Sequence, residues 1–148
     1  NYTYTVESIT ITGAKGGAAT YTFGGTEGKG GNWNITGSAP ASGYSYTFDN
    51  TVTAKDDIYD YTQNNNSLML YPQSLTDAKI TVKYKTEKDN ATFFNGSKEV
   101  ALTGEWTNGQ SIRYILTLPA GAEELTFTAQ ADGWTNEDPQ PSPIEPNK

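Results

Sequence analysis

Asp56, Asp57 and Asp60, in the stretch KDDIYD, are the residues whose type and spacing come nearest to a reaction or ligand centre. Clustered carboxylates can hold a hard cation through oxygen donors. The D-x-D-x-D-G order of a calcium loop is missing, so the same residues also read as a solvated acidic turn. The chain has no His and no Cys. That removes the usual general base near neutral pH, Ser-His-Asp and Cys-His nucleophile arrangements, thiolate zinc sites and disulfides. The glycine-rich run GGTEGKGG (24–31) has a Lys but no Ser or Thr after it and no strand–helix frame, so it reads as a hairpin loop rather than a phosphate cradle. A glycosidase pair needs two carboxyl groups about 5 to 9.5 Å apart in space, and nothing in the order of the acids selects one. No catalytic, cofactor-binding or metal-ligating residue is assigned on this basis, and the chain reads as non-enzymatic.

Aromatic residues are the other candidates. Trp33, Trp106, Trp134 and the Tyr pairs, within an aromatic content of 12%, suit either a sugar-stacking platform or a sheet core. An exposed binding row fits best at Tyr59 and Tyr61, beside the Asn-rich loop. Net charge is −7, which opposes phosphate backbones and anionic membrane surfaces, so no nucleic-acid partner is expected. No apolar run approaches the ~20 residues of a bilayer span. The opening NYTYTVES has no leader signature, so any leader would precede this sequence.

The elements that must position these residues read as strands. Ten Tyr, abundant Thr and a hydrophobic content of only 34% favour half-buried pleated sheet. Strand patterns occur at YTVESITIT, AATYTF (Tyr21 and Phe23 on one face), NWNI and GYSYTF (Tyr44, Tyr46 and Phe48 on one face). LMLYP suggests a strand buried on both faces and ended by Pro72, which hands over through a Gln-Ser turn. DAKITVKYKTE alternates most clearly, with Ala78, Ile80, Val82 and Tyr84 inward. ATFFNGSKEVAL carries Asn95-Gly96, the dipeptide favoured in two-residue hairpins. SIRYILTLP and ELTFTAQADGW add two more strands. The expected fold is all-β, an antiparallel β-sandwich of roughly seven to eight strands over residues 1–134. Residues 135–148 hold four of the seven prolines and three carboxylates against one lysine, and read as an extended acidic tail or linker.

Taken together, LMLYPQSLTDAKITVKY, LTGEWTNGQSIRYILTL and LTFTAQADGW resemble the C-terminal part of the fimbrillin-like proteins of Bacteroidetes, the type V pilus subunits and their gut relatives. The resemblance rests on Leu70, Pro72 and Gln73, then Ile80, Val82 and Tyr84, then Trp106, Gly109 and Tyr114, and a closing Trp134. It covers about 70 residues; residues 1–67 match more loosely, chiefly through VESITITG. The family usually has two β-sandwich domains and this chain has room for one, as the C-terminal domain of a larger subunit or as a short relative. The resemblance implies a cell-surface lipoprotein of the outer membrane or fimbrium, with structural or adhesive function. It also implies assembly by β-strand exchange, head to tail, with other pilus subunits or itself, and host or glycan ligands as further partners. The N-terminal region that carries the family's lipoprotein cysteine and cleaved strand is not among the matched residues. The family's exchanged segment is C-terminal, but four prolines make residues 135–148 a poor donor strand, so they are expected to act as a linker or to lie across a surface. The alternative function is a surface glycan-binding module using exposed Tyr and Trp.

Overall fold

The alternating stretch at Lys79–Lys88 becomes one of the two inner strands of a four-stranded antiparallel sheet in the computed structural model, which describes residues 2–24, 31–52, 59–61, 67–124 and 126–133. In chain order the strands are β1 (Thr3–Thr12), β2 (Ala19–Thr22), β3 (Asn32–Ile35), β4 (Tyr44–Val52), β5 (Gln73–Ser74), β6 (Lys79–Lys88), β7 (Ala91–Ala101), β8 (Glu105–Trp106), β9 (Gln110–Thr117) and β10 (Thr126–Gly133). The large sheet has the order β4-β1-β6-β7; β9–β10, β2–β3 and β5–β8 form three antiparallel pairs. There is no helix among the described residues. The fold is all-β and sandwich-like.

Its core lies on one face of β6. Ile80, Val82, Tyr84 and Thr86 are buried there, while Lys79 and Lys83 stand exposed on the other face. Apolar side chains of this size contribute about 1.5–3 kcal/mol each when fully buried, which selects this face over its mirror register. Val6, Leu75, Ala78 and Leu102 complete the cluster, and Tyr114, Leu116, Leu118 and Phe127 from the β9–β10 side pack against it. Tyr84 has no exposed surface; its ring stacks 6.5 Å from Tyr4 and tilts 4.8 Å from Phe94. Two buried hydroxyls tie the layers together. Tyr84 donates to the Pro119 carbonyl at 2.9 Å, and Thr86 donates to the Ala120 carbonyl at 2.6 Å.

Two one-residue bulges interrupt the sheet, and the first keeps apolar residues inward. Register shifts between Val6 and Ser8, leaving Glu7 without an opposite residue, so Val6 and Ile9 both join the core face although three positions apart. Glu7 instead pairs with Lys83 at 2.7 Å on the outer face. On β7 the extra residue is Phe93, which packs edge-on against Tyr2 at 5.1 Å.

Two expectations are corrected. Residues 67–72 are not a strand: Met69 is 97% exposed, and the chain pairs only afterwards, at Gln73–Ser74. Pro72 therefore precedes a short strand, and the turn falls at Thr76–Asp77. Asn95-Gly96 is not a hairpin turn either. Both residues lie within β7, with Gly96 opposite Tyr84. The β6–β7 turn is made by Asp89 and Asn90, at φ values of 50° and 63°, the left-handed pair a two-residue hairpin requires. Asp and Asn tolerate that region, and turning there leaves ten residues of β6 to bury the Ile80–Tyr84 face. The proposed tail 135–148 and Trp134 lie outside the described residues.

Candidate functional site

The β2–β3 pair sets Tyr21 directly opposite Trp33. Their rings lie 5.0 Å apart, Phe23 meets Tyr21 edge-on at 5.0 Å, and Tyr71 approaches Trp33 at 5.0 Å. The result is a row, Phe23–Tyr21–Trp33–Tyr71, in which Phe23 is 85% and Trp33 39% exposed. Large aromatics usually bury most of their surface. This cluster leaves apolar ring area open to water.

Two adjoining hollows flank Trp33. One, of about 270 Å³, is lined by Asn32, Trp33, Gln73, Glu105, Trp106 and Asn108 among others. The second, of about 350 Å³, runs past Trp33 to Lys15, Ser74 and Asp77. Trp33, Pro72, Gln73 and Ser74 belong to both.

Four chain segments are locked together beneath the row. The Gln73 amide clamps Lys15: its Oε1 accepts the Lys15 N–H at 2.7 Å, and its Nε2 donates to the Lys15 carbonyl at 3.0 Å and the Tyr71 carbonyl at 3.1 Å. Tyr71 donates its hydroxyl to the Gly17 carbonyl at 3.1 Å. The Gly31 N–H donates to the Tyr21 hydroxyl at 2.7 Å, and Asn108 Nδ2 reaches the Gly31 carbonyl at 3.4 Å. Gly31 fits because a Cβ there would come within 1.8 Å of the Thr22 carbonyl oxygen. Trp106 supports the floor: it pairs with Gln73 across β5–β8, and its Nε1 donates to the Tyr114 hydroxyl at 2.8 Å. Burial pushes the Tyr114 phenol above its ordinary range, opposed by that hydrogen bond.

Of the tryptophans singled out from sequence, Trp33 and Trp106 line the same hollow, and Trp134 lies outside the described residues. Tyr59 and Tyr61 do not form an exposed row. Tyr59 is 49% exposed, but Tyr61 packs 4.5 Å from Phe48 against the core. Its buried hydroxyl has no hydrogen-bond partner among the described residues, and burial, then Tyr59, pushes its phenol up to about 12. Asp56 and Asp57 lie outside the described residues, and Asp60 is exposed with an interaction of its own. Among the described residues no three His, Cys, Asp or Glu side chains gather to hold a metal. Sequence reasoning placed Tyr21 and Phe23 together but did not connect them to Trp33 or Tyr71; that depends on the β2–β3 register and on a contact spanning residues 33 to 71.

The second candidate site is backbone. β7 pairs with β6 along its length and has no strand on its other side among the described residues. Its outer N–H and C=O groups can template another strand. Comparison with protein-family models, curated proteins and solved structures finds no match to this chain.

Proposed function

We propose that the protein is a non-enzymatic cell-surface structural or adhesive subunit, similar to fimbrillins, that assembles by β-strand addition. The observation that supports this reading is the open edge of β7, an 11-residue strand at the margin of the largest sheet. An extended segment from a neighbouring subunit would gain main-chain hydrogen bonds along that edge, with alternate side chains setting specificity. Such a contact joins unlike surfaces and does not close on itself, so repetition gives a filament. Two features restrict the edge to a matched partner: the bulge at Phe93, and Lys98, which lies over the Phe94 ring at 5.1 Å while its Nζ donates to the Ala122 and Glu123 carbonyls. Native sheets use bulges and inward charges to suppress promiscuous pairing. Residues 95–101 beyond the bulge are the segment where a strand would add.

Light scattering on the intact precursor, before and after limited proteolysis near its N-terminus, tests the reading. Ladders that form only after cleavage are expected; a monomer in both states would overturn it. The exposed aromatic row favours a second reading, a surface glycan-binding module, compatible with a role in a surface assembly.

A further inference from the structure

We infer that the two hollows around Trp33 form one binding site for a neutral glycan chain of at least two sugar units. The inference deepens the glycan-binding reading and does not depend on strand addition. A pyranose ring presents one face rich in C–H groups and a rim of hydroxyls, so it needs an exposed aromatic plane with hydrogen-bonding groups at its edge. Trp33 supplies the plane, 39% exposed and held between Tyr21 and Tyr71 at 5.0 Å each. Asn32, Ser74, Thr107 and Asn108 supply uncharged polar groups around it.

Charge selects against other ligands. Among the described residues Glu105 and Asp77 are the carboxylates of the lining and Lys15 its cation, on a chain of net charge −7. Uronic acids, sulfated sugars and phosphates are disfavoured there. Carboxylates are good acceptors for sugar hydroxyls. Size selects a chain over a single sugar. The hollows, at about 270 and 350 Å³, lie just below and at the lower end of the range of about 300–1,000 Å³ for small-molecule sites, and the two meet at Trp33. Successive units would lie on either side of the indole. The Gln73 clamp on Lys15 and the Asn108 contact to Gly31 fix the walls beforehand, which reduces the ordering cost of binding.

The test is isothermal titration and Trp fluorescence of the full chain against β-1,4-glucohexaose, β-1,4-mannohexaose, α-1,4-glucohexaose, glucose and polygalacturonate. At least one neutral hexasaccharide should bind, about tenfold or more tighter than glucose and polygalacturonate. Trp33→Ala should weaken that binding by about tenfold or more through loss of the stacking plane. Asn32→Ala, an exposed position with no core contact, should weaken it by a smaller factor with the melting temperature unchanged. Binding that survives both substitutions would overturn this site while leaving the glycan reading standing. No binding to any neutral hexasaccharide would overturn both.

Discussion

Tyr84→Phe removes one oxygen from the most deeply buried aromatic of the core. The ring contacts to Tyr4 and Phe94 stay, but the Pro119 carbonyl loses a donor at 2.9 Å. A lost buried hydrogen bond of this kind costs about 1–2 kcal/mol near neutral pH. The pH dependence makes the prediction sharper. Burial, followed by the neighbouring Tyr4 and Glu123, pushes the Tyr84 phenol up to about 12 from 10.0. The folded-state pKa is raised, so the neutral phenol's stabilising contribution is whole below pH 10 and is lost as pH rises from 10 toward 12, because the unfolded chain releases the proton first. The slope approaches about 1.4 kcal/mol per pH unit for one group. The wild-type advantage over Tyr84→Phe should therefore hold constant from pH 8 to 10, shrink above it, and reach zero near pH 11. Urea unfolding of both proteins, followed by circular dichroism at half-unit pH steps, measures the difference; other alkaline effects are common to both and cancel. Two curves that stay parallel through pH 11.5 would refute the assignment of Tyr84 as a buried, neutral hydrogen-bond donor.

Other consequences follow from the same geometry. A double-mutant cycle of Trp106→Phe and Tyr114→Phe should give a coupling of about 1 kcal/mol for the 2.8 Å bond, and additive effects would show that the two do not interact. Asn90→Val should cost about 1–2 kcal/mol at its φ of 63°, and Asn90→Gly should be nearly neutral. Gly96→Ala, by contrast, should be tolerated, since its Cβ would meet only the Phe94 ring at 3.4 Å; thermal melts that rank Gly96→Ala as the costlier change would return the hairpin turn to Asn95-Gly96. Deleting residues 135–148 should leave any assembly intact, and loss of assembly on sizing columns would make the tail the donor strand.

How much of this was legible in the sequence differs from place to place. Ala78, Ile80, Val82 and Tyr84 alternate without interruption, and all four are buried in the fold. β1 is harder, because the extra residue Glu7 breaks the period between Val6 and Ile9, and only pairing with β6 reveals it. LMLYP misled because a count of apolar residues does not say what covers them; Met69 points into water. At the β6–β7 turn two local signals competed, Asn95-Gly96 and Asp89-Asn90, and the burial of the β6 face outweighed the stronger dipeptide preference. The same split holds for the sites. Trp33 and Trp106 were marked by residue type, but the hollow between them is built by Gln73 opposite Trp106 and by Tyr71 crossing to Trp33, contacts of long sequence separation. Of the resemblance motif, Gln73 meets Trp106 through such a contact and Trp106 meets Tyr114 locally, with Gly109 at a φ of 69° in the turn between β8 and β9.

The central claim, strand addition at β7, is tested most directly by proline at two adjacent positions of that strand. N–H direction alternates along a strand, so of Gly96→Pro and Ser97→Pro, neither of which removes a side-chain bond, one removes an N–H facing β6 and the other an N–H facing away. The variant that keeps the wild-type melting temperature is the one altered on the open side. In the cleavage-and-light-scattering assay the account predicts that this variant stays monomeric while the wild type forms ladders. Ladders of undiminished length from this variant would contradict it.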